Sequence, residues 1–201
     1  MIPEKQIRAV YTDSTIRVYQ AYNDAIANAA LDKGTFVAPP FKLERMTWVK
    51  PSFLWMMYRS GWGQKDCGQN RILAIDITRE GFEWALENSV LSGKAKEFED
   101  KEAWLEIKRT TPVRIQWDPE RDINLNPLNH RAIQIGLSNQ AVQQYINEWI
   151  VNISDVTEFS TQLKALVDKN QIDKARALLP VEKPYIVSKE LAEHIGMLTT
   201  S

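Results

Sequence analysis

Apolar and polar positions alternate in short runs along the first half of the chain. Residues 7–11 (IRAVY) and 15–22 (TIRVYQAY) are rich in β-branched and aromatic side chains, with turn chemistry at Thr12, Asp13 and Ser14 between them. That pattern predicts strand, turn, strand. Asn23 or Asp24 then caps an Ala-rich helix over 25–31, closed by Lys33 and Gly34. Residues 35–37 form a short strand candidate stopped by Pro39 and Pro40. Pro51 suits the first turn of a second helix reaching Arg59, with Gly61 as its cap and a Gly-rich loop over 61–70. RILAIDIT (71–78) predicts a strongly apolar strand, and 80–87 a short amphipathic helix. A charged surface excursion over 92–100 leads to a helix at 102–109. VRIQWD (113–118) alternates as a strand, 119–129 is a turn-rich loop, and RAIQIGL (131–137) is again a strand. Ser138 caps a helix to about Asn147, and WIVNI (149–153) forms a last strand.

Beyond residue 157 the period changes. Phe159, Leu163, Leu166 and Val167 have helical spacing, as do Ile172, Ala175, Leu178 and Leu179; Pro180 and Pro184 punctuate, and a final helix covers 189–195. The expected organisation is therefore a domain over 1–157 and a helical C-terminal extension over 158–201 that packs on the body or on a partner. Strands outnumber crossover-length helices and the turns are short. An α+β fold of mixed, mainly antiparallel sheets with flanking helices is favoured over a doubly wound parallel sheet.

Composition narrows the chemistry. In 201 residues, 25 basic and 26 acidic side chains leave a formal charge of -1, so no field over the whole surface attracts nucleic acid or anionic lipid. A phosphate site has to be a local concentration of charge. Cys67 is the only cysteine, which excludes an internal disulfide and fits a reducing cytosol. The first residues carry no signal-peptide apolar run, and no stretch approaches membrane-spanning length; a cytoplasmic location is expected. With one cysteine and two histidines, His130 and His194, no structural zinc site or histidine-rich metal centre is expected. Walker, dinucleotide-fingerprint and nucleophile-elbow motifs do not occur. Cys67 reads as a surface thiol rather than a nucleophile paired with His130.

The richest stretch is 45–62, RMTWVKPSFLWMMYRSGW. It sets three Trp, a Tyr and a Phe among Arg45, Lys50 and Arg59. A helix from Pro51 apolar nearly all round is a core helix, and most of these residues belong there. Trp48, Tyr58, Arg59 and Trp62 flank the helix ends, where side chains can face a cleft, and Ser52 lies beside free N–H groups that favour an anion. Aromatic faces stack on flat rings and guanidinium groups take phosphates.

Two further positions carry candidate chemistry. Alternation in 15–22 puts Arg17, Tyr19 and Ala21 on one face, and Gln20 on the other with Ile16, Val18 and Tyr22. A buried amide has to be hydrogen-bonded, to a ligand edge or to the backbone. Glu148 stands at the mouth of the strand at 149–153, as a catalytic carboxylate or as a solvated end residue. WDPERD, with Asp118, Glu120, Arg121 and Asp122, reads as a salt-bridged turn first and a substrate contact second.

The segments VYQAY (18–22), 45–62, LAIDITREGFE (73–83), VRIQWDPERD (113–122), IQIGL (133–137) and WIVNISDVT (149–157) resemble a family known only as a domain of unknown function. A second resemblance concerns the order of elements. VYQAYNDAIANAALDKGTFV is similar to the opening of small proteins with the ADP-ribosyltransferase fold, where a strand with Tyr-His or Tyr-Arg precedes a helix, a Gly and a short aromatic strand. An aromatic segment bearing Ser, Thr or Tyr, and a Glu by a late strand, follow in that fold. Gln20, the 52–58 segment and Glu148 are the counterparts here, with Gln20 in place of His or Arg. That resemblance implies NAD as substrate, with no metal. Glu148, Gln20 and Tyr58 would be catalytic, and Tyr19, Arg45, Trp48, Ser52 and Arg59 would hold the dinucleotide. The acceptor would be protein, nucleic acid, a small molecule or water. The rival expectations are a non-catalytic nucleotide or nucleic-acid module using the same aromatic–basic cleft, and a partner-inhibited toxin or defence component docking through its C-terminal helices.

Overall fold

The structure, a computed structural model, describes residues 2–92 and 101–197; most of the charged excursion at 92–100 lies outside the described residues. A two-residue strand β1 (Arg8–Ala9) precedes β2 (Thr15–Tyr22). Helix α1 (Asp24–Lys33) starts where the Asn23 side chain accepts the Ile26 N–H at 3.0 Å, so Asn23 and not Asp24 is the cap. Strand β3 (Thr47–Val49) leads into α2 (Phe53–Ser60), which Ser52 caps by accepting the Trp55 N–H at 3.1 Å. Strand β4 (Arg71–Thr78) runs directly into α3 (Arg79–Glu87), and β5 (Ser89–Leu91) follows. Helix α4 (Lys101–Thr110), strands β6 (Val113–Arg121) and β7 (Pro127–Leu137), and helix α5 (Gln140–Gln144) come next. Helix α5 continues as a π-helical turn (Tyr145–Trp149) into β8 (Ile150–Asp155). Helices α6 (Thr157–Asp168) and α7 (Ile172–Leu178), strand β9 (Lys183–Pro184) and α8 (Lys189–His194) complete the chain.

Two main sheets result. One has the order β2-β4-β8 and is antiparallel; the other has the order β3-β7-β6-β5, antiparallel except for the parallel β5–β6 pair. The expected α+β class with mainly antiparallel sheets is present. The sheets are joined between Tyr19 and Lys50, whose backbones exchange hydrogen bonds of 2.8 and 3.3 Å.

Sheet β2-β4-β8 is covered on both faces, which explains why β4 is apolar almost throughout. Ile16, Val18, Leu73, Ile75 and Ile77 face one buried cluster with α1, α3 and the π turn; Tyr19, Ile72 and Ala74 face a second with Phe53, Met56 and Met57 of α2. Leu163 of α6 and Ala175 of α7 are fully buried in that second cluster, with Phe159 and Ile172 packed against it. Tyr185 is buried in the first cluster, and β9 pairs with β1. The helical segment expected beyond 157 thus packs on the body. Helices α6 and α7 form the lid over one sheet face, and without them Ile72 would meet water.

Two local expectations are corrected, and one strand appears that was not expected. Residues 35–37 form no strand; Phe36 stacks on Phe41 with centroids 4.9 Å apart and fills the core instead. The loop expected at 119–129 is mostly strand, because β6 and β7 extend their hairpin past a register shift between Pro119 and Arg121. The short TWV run, masked in sequence by its aromatic neighbours, is the strand β3. Among the described residues no helix is long and apolar enough to cross a membrane.

Packing of α3 on the π turn needs a residue without a side chain at one place. A Cβ on Gly81 would lie 2.3 Å from Cγ of Trp149, a buried ring that cannot swing away. Gly81→Ala should cost about 1–3 kcal/mol of stability, read as a lower urea midpoint with an unchanged slope.

Candidate functional site

A cleft of about 730 Å3 is lined from both sheets. Strand β2 supplies Gln20 and Tyr22, β3 supplies Thr47 and Trp48, and β6 and β7 add Gln116 and Gln134. Lys42, Arg45, Lys50 and Arg59 bring four basic side chains to the same wall, against one lining carboxylate, Asp66. Lys42, Arg45 and Arg59 are exposed, and none of the ion pairs among the described residues involves them; those lie elsewhere, as in Arg17–Asp76 and Arg71–Asp155. The local charge that a near-neutral protein needs for an anion is thus present in one place.

Trp48 is half-buried in this wall. Its ring rests over Gly136 of β7, where a Cβ would come within 2.9 Å of the indole and 2.8 Å of the Met46 sulfur. The Gly of the IQIGL segment therefore leaves the space that the indole occupies.

Behind the wall is a closed polar network. Nε2 of Gln20 donates toward Thr47 Oγ1 at 2.7 Å, the Tyr22 hydroxyl at 2.9 Å and the Trp48 carbonyl at 3.2 Å. The Tyr145 hydroxyl, on the π turn, donates to Gln20 Oε1 at 2.7 Å, and Tyr22 and Thr47 share a 2.7 Å bond. Burial pushes the Tyr22 phenol up to about 12 and raises that of Tyr145 well above its ordinary range, so both stay protonated donors. Every polar atom of Gln20 is engaged by protein. Its amide clamps β2 to β3 and to the π turn while presenting an edge to the cleft.

Of the residues expected at a ligand site, the structure brings Gln20, Arg45, Trp48 and Arg59 together on this cleft. It does not bring the other four there. Tyr19 is buried in the second core cluster, edge-on to Phe53 with centroids 5.5 Å apart. Tyr58 stands on the outer face of α2, stacked on Trp55, with the Arg121 guanidinium 3.5 Å from its ring centroid. Glu148 is exposed on the π turn and is not part of the lining. Ser52 donates to Glu120 Oε1 at 2.9 Å at the start of α2. The charged WDPERD segment turns out to be structural: Asp122 holds the backbone N–H groups of Asn124 and Asn126 at 2.9 and 2.8 Å, and Asp118 accepts from Gln134 at 2.5 Å.

Sequence reasoning passed over Thr47, Gln116, Gln134 and Tyr145, and treated Lys50 only as one cation in a run. Gln134 carries a legible signal, since it is a polar group inside the otherwise apolar run 132–137; Tyr145, set among Gln143, Gln144 and Asn147, carries none. Lys50 carries a weaker one. It stands between an apolar strand and Pro51, yet is only 5 % exposed. Cys67 is exposed on the loop between the lining residues Asp66 and Gly68.

An α+β protein with an aromatic, basic, amide-lined cleft between two joined sheets is the class these features define. The chain belongs to the family described as Domain of unknown function (DUF4291), whose pattern matches residues 6–185. That span runs through β9 and so includes α6 and α7, in keeping with their place in the core. No curated protein matches the chain.

Two experiments probe this construction. Tyr145→Phe leaves Gln20 Oε1 buried without a donor and should cost about 1–3 kcal/mol in urea unfolding. At the start of α2, Glu182 accepts the Phe53 N–H at 2.7 Å, and burial, helped by the like charge of Glu120, pushes its carboxyl up to about 8. A raised acid contributes stability that is present below its unfolded value, near 4.5, and is lost as the pH rises through 8. Glu182→Gln keeps the acceptor and removes the charge. It should raise the Tm at about pH 8.5 and leave it nearly unchanged at about pH 4.

Proposed function

We propose that the cleft binds a nucleotide, with a flat base against Trp48 and phosphates held by Arg45, Arg59 and Lys42. The observation that carries this reading is the half-buried Trp48 ring beside exposed, unpaired cations from the 42–45 segment and from α2. Stacking on an indole face and charge-assisted bonds to phosphate oxygens are the two interactions such a ligand requires. The amides of Gln116 and Gln134 offer donors and acceptors for a base edge or a ribose. A cleft of this volume fits a small ligand of mono- or dinucleotide size better than a polymer strand, and the overall charge of -1 agrees.

NAD is the first nucleotide to test, because the resemblance of the opening segment to ADP-ribosyltransferases points to it. Transfer from NAD also needs a carboxylate near the ribose to stabilise positive charge as the nicotinamide leaves. Asp66 supports that second, enzymatic reading by lining the cleft. Glu148, exposed and off the lining, can serve it only through a rearrangement of the π turn.

Isothermal titration with NAD, AMP, ATP and a single-stranded oligonucleotide decides between these ligands. A mononucleotide or dinucleotide should bind, and Trp48→Ala and Arg45→Ala should each weaken its Kd about tenfold or more, which is about 1.4 kcal/mol. Absence of binding by every nucleotide overturns the proposal. Binding by the oligonucleotide alone, steeply weakened by salt, replaces it with a nucleic-acid module. Nicotinamide release from NAD, lost in Asp66→Asn or in Glu148→Gln, identifies the transferase reading and its carboxylate.

A further inference from the structure

We propose that Lys50 is a covalent nucleophile in the wall of the cleft, and that its amine condenses with the aldehyde of a phosphate-bearing ligand, an open-chain phosphorylated aldose such as the free ribose end of ADP-ribose being the fitting chemical class. The proposal rests on the anionic character of the cleft ligand and goes beyond the reading above by requiring an aldehyde, a group that AMP, ATP and NAD lack.

The geometry of the amine is the starting point. Lys50 is 5 % exposed, yet it lines the cleft. An ammonium group carries three donors. Among the described residues the acceptor within reach of Nζ is the Trp48 carbonyl at 3.2 Å, an oxygen that already accepts from Gln20 at the same distance. No ion pair among the described residues includes Lys50. A buried ammonium so poorly matched is costly, and the group relieves that cost by shedding its proton. The charged groups around it agree. Burial first, then the Arg59 guanidinium on α2, lower the amine to about 7 against the opposing pull of Asp118 on β6, which is held by Gln134. Arg45 and Lys42 add positive charge to the same wall, and Asp66 is the lining carboxylate opposite.

A lysine amine that is about half neutral near pH 7 offers a free lone pair, the requirement for attack on a carbonyl. The reaction balances without any further reagent. Nζ bonds to the aldehyde carbon, the carbonyl oxygen takes up a proton, and the carbinolamine loses water to give an imine. Amine and aldehyde become imine and water, with no change in oxidation state. The cations of the same wall choose the electrophile. Arg45, Arg59 and Lys42 hold an anionic group on the ligand, and this positions its aldehyde over Lys50. The backbone of Lys50 cannot drift, because it is fixed to Tyr19 by the bonds that join the two sheets.

The test uses the full chain with pyridoxal 5′-phosphate as the probe, trapped by cyanoborohydride and mapped by peptide mass spectrometry. At about pH 7 Lys50 should take the label at least about tenfold faster than the exposed Lys42. Its labelling rate should rise with a midpoint near 7, and inorganic pyrophosphate should slow it. ADP-ribose with the same reductant should add at the same residue. Lys50→Met should remove the fast label, and thermal melting reports whether that variant is folded. If it is not, the site map of the parent chain still decides. Labelling spread evenly over surface lysines, or a Lys50 that reacts no faster than Lys42, overturns the proposal. Equal reactivity toward pyridoxal lacking the phosphate overturns the anionic requirement. The two readings fail separately. Nucleotide binding with an unreactive Lys50 sinks this one alone, and a reactive Lys50 without nucleotide binding sinks the other.

Discussion

The contact on which the molecule depends is the pair of backbone hydrogen bonds between Tyr19 and Lys50. They make one unit of two sheets whose strands otherwise pair only among themselves. The side chains at this junction divide the labour. Tyr19 goes into the core beneath α2, while Lys50 goes to the cleft wall. Next to the junction, the Gln20 amide repeats the connection by donating to the Thr47 hydroxyl and the Trp48 carbonyl of β3. The cleft is therefore walled by strands that are fixed to each other, and the positions of Trp48 and Lys50 follow from the sheet rather than from a mobile loop. Rigid placement of this kind limits the entropy that a ligand must remove on binding.

Two buried clusters on either side of β2-β4-β8 explain the order of the chain. The first draws on elements from both ends of the chain, from Ile7 to Ile195, and the second joins α2 to α6 and α7, which come late. A sheet with one open face would expose Ile72, so the C-terminal helices pack as part of the same body. The Tyr185 ring, which meets Tyr11 and Phe82 edge-on, fastens the end of the chain to its beginning.

Much of this was legible beforehand where local chemistry and tertiary packing agree. The strands at 15–22 and 71–78 were readable because β-branched runs with turn signals keep their meaning in any context. The aromatic helix was readable as core for the same reason, and Met56 and Met57 are buried as expected. Reading failed where an energy term belongs to partners far apart in sequence. Tyr58 and Glu148 have ordinary surface surroundings, Tyr19 turns away from the cleft, and nothing local could reveal that Gln20 is met by a phenol 125 residues later. The change of period after 157 marked new helices but said nothing of what they cover. Lys50 is the clearest case: its meaning comes from the acceptors it lacks, and those are visible only in three dimensions.

The loop carrying Cys67 has a practical consequence. Because the chain has a single thiol, and because that thiol is exposed between two residues of the cleft rim, a maleimide dye or spin probe attaches at one defined spot beside the opening. Occupancy of the interior then becomes an optical or magnetic signal, obtained from the native sequence without engineering a reporter.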